Sequence, residues 1–280
     1  MPEPASAVAP AGRITLLTDF GTRDGYVAAV RGVIATLAPT ARVEDATHEV
    51  EPGDVRGAAW VLEAYWRRYP PGTVHLIVVD PGVGGERRAL AAFAEERYFV
   101  APDNGVLTRV LSAVPFRAVE LAHPSEGEIS NTFHGRDLFA PVAAGLALGR
   151  PLDAFGAPID EPVLLPLHPP VRGEGVVRGI VEHVDRFGNL ITNVPGEWCV
   201  GAESVRMGGR EIGPLRTRYV DVEPGEALAL VGSAGLVEIA VRDGSAAGAL
   251  GAGRDDEIDI QLSGARPTGV SFPASGGRRP

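Results

Sequence analysis

The chain has 280 residues, 45% of them hydrophobic and 22% charged, an ordinary globular composition too long for one comfortable core, so two domains are expected. A formal net charge of -10 works against phosphate backbones and anionic lipid, and the single cysteine, Cys199, excludes an internal disulfide and any cysteine-rich metal site. All 26 basic residues are arginine, which excludes a phosphate loop ending in Gly-Lys and lysine Schiff-base chemistry.

Residues 1–12 are rich in proline and alanine and read as a disordered tail. They contain no apolar core of a signal peptide, and no apolar run in the chain reaches the roughly 18 residues of a membrane span, which points to a cytoplasmic protein. Residues 13–160 alternate strands with helical patterns. ITLLTDF (14–20) reads as a buried strand, YVAAVRGVIATLA (26–38) as an amphipathic helix, ARVEDAT as a strand, DVRGAAWVLEAYWRRY as a helix and TVHLIVVD (73–80) as the strongest strand of all. RALAAFAE and RYFVAP follow as strands, and LFAPVAAGLALG (138–149) closes the half as a helix ended by Gly149. That alternation predicts a layered α/β domain with a largely parallel sheet. The proline-rich residues 161–175 suit a linker. From 176 to 263 the runs are short, β-branched and separated by glycine turns, which predicts a smaller all-β, barrel-like domain; 264–280 again read as a disordered tail.

Ligands of open α/β sheets bind beyond the carboxyl ends of the strands, so polar residues just after a strand are the first candidates. Asp19 and Asp24 lie on the loop after the first strand, where a carboxylate can accept both hydroxyls of a ribose or cap the next helix. Asp80-Pro-Gly-Val-Gly-Gly-Glu-Arg87 places an acid and a guanidinium seven residues apart around a glycine-rich turn. The loop leads into a strand, not a helix, so it is a poor dinucleotide fingerprint, and a plain salt bridge would use the same residues. Pro102-Asp103-Asn104-Gly105 is a good turn and little else. His134 and Asp137 stand just before a helix, with Asp137 as a possible N-cap. His48 is a second candidate of that kind, whereas His75 lies inside a strand and reads as packed. No histidine pair has metal-ligand spacing and no Gly-x-Ser-x-Gly elbow occurs, so neither a catalytic metal nor an α/β-hydrolase is expected. In the second half, Asp185, Phe187 and Asn189 around Gly188 would suit a cationic amine and a flat ring, or a tight turn; Ser233 could bind a carboxylate through its hydroxyl and neighbouring amides.

In order along the chain, LLTDFGTRDGY, DATHEVEPGDVRGAA, VVDPGVGGERR, APDNGVLT, NTFHGRDLFAP, VDRFGNLITN and GSAGLVEIA resemble the S-adenosyl-L-methionine (SAM) hydroxide adenosyltransferases, or SAM hydrolases, relatives of the fluorinase and chlorinase. The resemblance spans about residues 13–262. It implies an α/β N-terminal domain, a β-barrel-like C-terminal domain, and a homotrimer with active sites between subunits. The implied reaction is SAM plus water giving adenosine and L-methionine, with no cofactor. The implied water-handling residues are Asp80, Arg87 and His134. Asp19 matches the acid that holds the ribose hydroxyls, and Asp24 a neighbouring polar residue. Asp185 matches the acid that pairs with the methionine ammonium, Phe187 and Asn189 match ligand contacts, and Ser233 a contact to the methionine carboxylate. Where the fluorinase has a tyrosine and a halide-binding serine, this chain has Asp80 and Gly135, and Ala234 and Val241 replace two of its arginines. A halide-using transferase is the nearest rival reading, and a non-catalytic SAM- or adenosine-binding regulator a more distant one. Chemistry suits the hydrolase: the sulfonium is a good leaving group, so the task is to deliver water in line with the C5′–S bond. A carboxylate and an imidazole can orient and partly deprotonate that water while Arg87 fixes the carboxylate or stabilises developing hydroxide, and the sequence allows either Asp80 or His134 to take the proton.

Overall fold

The computed structural model describes residues 8–122 and 129–263; His123, residues 1–7 of the expected N-terminal tail and residues 264–280 of the expected C-terminal tail lie outside the described residues. The chain divides into two compact units, Met1–Pro166 and Leu167–Pro280. Among the described residues no helix is long and apolar enough to cross a membrane.

In the first unit the strands are β1 (Arg13–Thr18), β2 (Arg42–Thr47), β3 (Val74–Val78), β4 (Ala89–Ala94), β5 (Arg97–Pro102), β6 (Phe116–Leu121) and β7 (Gly156–Ile159). They form one sheet in the order β2-β1-β3-β5-β4-β6-β7. Helices α1 (Tyr26–Leu37), α2 (Val55–Tyr65), α3 (Thr108–Leu111) and α4 (Ala140–Ala147) cover it on both faces. One core packs Ile14, Leu16, Val74, Leu76 and Val78 under Val30 and Ile34 of α1 and Val142 and Leu146 of α4; the other packs Leu17 and Ile77 under Ala58 and Leu62 of α2. Successive residues of a strand point to opposite faces, so a strand covered on both sides must be apolar throughout. That is why every residue of β3 is buried and why its sequence read so strongly.

The parallel character expected of the sheet is confined to β2, β1, β3 and β5; β4, β6 and β7 pair antiparallel. The reason is local. β4 and β5 are joined by Glu95 and Glu96 alone, both at positive φ (42° and 62°), which makes a tight hairpin with no room for a crossover helix. Helix α4 starts later than its apolar pattern, because Gly135–Phe139 form a wider π turn in which Ala140 N–H donates to Gly135 O. Ala11 N–H donates to Gly72 O at 3.1 Å, which ties residues before β1 to the turn before β3.

The second unit holds β8 (Val171–Gly173), β9 (Val176–Val184), β10 (Leu190–Pro195), β11 (Ala202–Met207), β12 (Arg210–Gly213), β13 (Leu215–Arg216), β14 (Ala227–Val231), β15 (Leu236–Val241), a short helix α5 (Ala246–Leu250) and β16 (Glu257–Leu262). The sheet runs β12-β11-β16-β9-β10-β15-β14-β13, with β8 on β9, and its ends come together where β12 meets β14 and β11 meets β13. A nearly closed barrel results. Val177, Val181, Leu190, Val194, Val205, Val237, Ile239, Ile258 and Ile260 fill its interior.

Candidate active site

In the first unit the chain runs from β1 through α1 to β2 on one side, then through α2 to β3 on the other side of β1, with the two helices on opposite faces. The sheet therefore reverses its winding between β1 and β3, and the crevice beyond the carboxyl ends of those two strands is where such a fold binds a ligand. Asp19 follows the last residue of β1, and Asp80 comes two residues after the end of β3.

Asp80 and Arg87 form a two-pronged ion pair. Arg87 Nε donates to Oδ1 at 2.9 Å and to Oδ2 at 3.1 Å, and Nη2 also donates to Oδ2. Their side chains are only 5% and 11% exposed, so water competes weakly for either charge. The same Nη2 donates to His134 Nδ1 at 2.8 Å. A guanidinium has no acceptor, so this contact makes Nδ1 the acceptor and puts the imidazole proton on Nε2. His134 is 5% exposed and precedes the π turn, whose extra residue shifts where the helix face begins. The glycine-rich loop makes this meeting possible. Gly84 lies at φ 75° against Asn131, and a Cβ there would come within 2.1 Å of Asn131 O. Only glycine lets the 82–85 loop close on the segment carrying His134. Gly135 is enclosed as well: a Cβ would sit 3.2 Å from Val78 and 3.4 Å from Phe20.

Asp19 does not cap α1, whose N-cap is Gly25 with no side-chain cap bond. Its Oδ2 instead accepts Gly53 N–H at 2.8 Å. Gly53 also approaches Pro81, the residue after Asp80, so the loop after β2 links the two strand-end acids. Asp24 is exposed on the same loop as Asp19. Asp137 is not an N-cap of α4 either: it accepts Ser130 N–H at 3.0 Å and pairs with Arg136, whose hydrogen bonds hold its carboxyl below the ordinary carboxylate range. The Pro102–Gly105 cluster is structural. Asp103 takes Arg88 on one oxygen and Val163 N–H on the other, and Asn104 bonds Val79 O and Val106 N–H. His75 is fully enclosed, bonded to Thr15 and stacked 5.1 Å from Phe99.

Sequence reasoning passed over an aromatic wall beside this crevice. Phe133 meets both Phe20 and Tyr26 edge to face, and Phe20 and Tyr26 lie tilted to one another, with centroids 5.3 to 5.8 Å apart; Tyr26 is half exposed. The available signal was position: each aromatic lies within or beside a polar strand-end motif.

In the second unit the residues from Asp185 to Asn189 build a tight turn between β9 and β10. Asp185 Oδ1 accepts Phe187 N–H and Asn189 N–H, both at 2.9 Å, and Oδ2 accepts Asn189 Nδ2 at 3.0 Å. The turn reading and the ligand reading thus fall on the same carboxylate. Phe187 is 76% exposed, whereas Asn189 is buried. The β10–β15 register sets Leu190 opposite Ile239 and Pro195 opposite Leu236, so Ser233 lies toward the other end of that pair from the turn. Between them stands Glu238, unforeseen from sequence. It is buried, accepts Tyr219 OH at 2.7 Å, lies against Gly232, and is pushed up by burial with a further contribution from the Asp185 charge.

Comparison with known proteins agrees with this architecture. Residues 14–156 match the SAM hydroxide adenosyltransferase N-terminal domain and residues 179–259 its C-terminal domain. A protein from Salinispora arenicola named (R)-S-adenosyl-L-methionine hydrolase is 44% identical over 255 residues, 88% of this chain and 97% of that protein. A fluorinase from an Actinoplanes species is 29% identical over 214 residues, 65% of this chain and 71% of its own. The crystal structure of an uncharacterized conserved protein from Thermotoga maritima superposes with a TM-score of 0.82 at 40% identity, covering 89% of this chain and 99% of that one.

Proposed function

The chain belongs to the SAM hydroxide adenosyltransferase family, and from that premise we propose that it hydrolyses S-adenosyl-L-methionine to adenosine and L-methionine, with the (R) configuration at sulfur that its relative's name carries. The observation that carries the reading is the Asp80–Arg87–His134 array beyond β3, beside the crevice where the sheet reverses.

Arg87 sits between the other two groups and gives them opposite roles. Its hydrogen bonds orient the Asp80 carboxylate as an acceptor, and its contact with Nδ1 puts the His134 proton on Nε2 as a donor. A water that donates to Asp80 and accepts from His134 keeps its remaining lone pair for C5′. As the new C5′–O bond forms, the C5′–S bond breaks, its electron pair goes to the methionine sulfur, and the water proton passes to Asp80 and then to solvent. Proximity and alignment supply most of the rate, because the sulfonium already leaves well. Asp19 takes the ribose hydroxyls, with Asp24 a polar neighbour on that loop. Asp185 pairs with the ammonium, Phe187 and Asn189 flank the ligand, and Ser233 meets the methionine carboxylate. The working assembly is a cytoplasmic homotrimer in which each active site is shared between subunits.

Incubation of purified protein with each sulfur epimer of SAM, followed by chromatography, tests the reading. Adenosine and methionine, formed faster from the (R) epimer, are expected. A halogenated nucleoside in the presence of chloride or fluoride would instead place the protein with the halide-using enzymes, and unchanged SAM with measurable binding would make it a sensor. Substrate chirally deuterated at C5′ reports the step itself: inversion is expected of direct attack by water, and retention would mean a covalent adenosyl-enzyme on Asp80 or His134.

A further inference from the structure

His48 was singled out by its motif and takes no part in the water-handling array. It is 6% exposed, on the segment just after β2. Its Nδ1 lies 2.9 Å from Thr18 Oγ1, and that oxygen also accepts Phe20 N–H at 3.2 Å. Its Nε2 stands 3.3 Å from Asp45 Oδ1, out of line for a hydrogen bond but close enough to feel the charge, and Asp45 is itself paired with Arg31 at 2.6 Å. The acid beside Nε2 favours the proton there, so Nδ1 accepts the Thr18 hydroxyl proton. The His48 carbonyl accepts Gly21 N–H at 2.7 Å, and five residues on, Gly53 N–H donates to Asp19 Oδ2. Segment 48–53 thus grips the 18–21 turn at Thr18, Asp19 and Gly21. The second oxygen of Asp19 makes no hydrogen bond among the described residues.

We propose that His48 is a positioning residue for Asp19: by holding Thr18 and Gly21 it sets the turn so that the Asp19 carboxylate, fixed on one oxygen by Gly53, offers the other to the ribose hydroxyls of the substrate. This rests on the reading of Asp19 as the ribose acid. The contact with ribose is the same in the ground and transition states, so misplacing Asp19 raises KM and leaves kcat nearly unchanged.

The test compares SAM with its 2′,3′-dideoxyribose analogue in wild type, Asp19→Asn, His48→Leu, His48→Asn and Thr18→Val. His48→Leu removes the acceptor and is expected to raise KM for SAM about tenfold, the worth of one such hydrogen bond, with kcat within about twofold and KM for the analogue unchanged. His48→Asn keeps an acceptor near Nδ1 and should recover most of the loss. Thr18→Val removes the other partner and should show the same split, so it carries the test if His48→Leu does not fold. Unchanged KM for SAM in both His48→Leu and Thr18→Val, or an equal loss on both substrates, overturns the proposal while Asp19→Asn still discriminates between them. If Asp19→Asn does not discriminate, the ribose reading fails and the proposal with it.

Discussion

Replacing Arg87 by methionine separates its two tasks. The side chain that it serves, Asp80, is 5% exposed and takes both prongs of the guanidinium. Removing one partner of so enclosed a pair leaves an uncompensated charge, which costs about 3 to 5 kcal/mol. In a domain of this size that lowers Tm by roughly 6 to 20 °C at ~2 to 4 °C per kcal/mol. The chemical effect is separate. With Nη2 gone, nothing holds the Asp80 carboxylate in place or fixes the His134 tautomer through Nδ1, so the water loses the orientation that both groups give it. The rate should fall by about 10² to 10⁴, the usual worth of a positioned proton acceptor, with the loss in kcat and KM far less affected. Calorimetry and steady-state kinetics decide the matter. Wild-type melting, or an unchanged kcat, would refute the arrangement in which Arg87 fixes both neighbours.

Gly84→Ala places a Cβ within 2.1 Å of Asn131 O at a φ of 75°, and should lower kcat at least about tenfold by pushing the His134 segment away, with KM far less affected; equal kcat would show that the loop does not set the array. Asp185→Asn keeps an oxygen for the amides of Phe187 and Asn189 but removes the charge, so KM should rise by the equivalent of about 1.5 to 3 kcal/mol while kcat holds; a fall in kcat at constant KM would remove the ammonium role. His75 is pushed down to about 3 by burial. The unfolded chain therefore binds a proton near pH 6.5 that the folded chain refuses, and stability present above that pH is lost as pH falls toward 3. Between pH 7 and 5 the loss is about 2 kcal/mol at ~1.36 kcal/mol per pKa unit, measurable as a shift in denaturant midpoint that His75→Leu abolishes. Equal shifts in both proteins would reject the assignment.

The fold was legible where periodicity carried it. The continuous apolar run of β3 announced a strand covered on both faces, and α1 and α2 announced themselves by their stripes. The direction of β4 was not legible, because it depends on two glutamates adopting positive φ, a conformation that the types Glu95 and Glu96 do not advertise. The π turn at Gly135–Phe139 was hidden for a related reason: an extra residue in one helical turn leaves the apolar spacing nearly intact. Glu238 was invisible because its importance lies in partners, Tyr219 and the Asp185 charge, that come from distant parts of the sequence.

The polar loops sort themselves by where the winding of the sheet reverses. The loops after β1 and β3 flank the reversal; they carry Asp19, held on one oxygen by a backbone amide, and Asp80, held on both by a guanidinium. Beyond β5, where the sheet turns antiparallel, the cluster at Asp103 and Asn104 is as polar and as close to a strand end, yet both side chains are spent on Arg88, Val163, Val79 and Val106. Composition does not distinguish these loops. Topology does, because a crevice opens only where neighbouring connections leave on opposite faces, and a strand end without one can satisfy its polar groups only by pinning the chain to itself. The same logic gives Arg87 its place: reaching back from the start of β4 to the end of β3, it brings a fixed cation to the edge of the crevice and, by bonding both Asp80 and His134 Nδ1, holds the two side chains in one array.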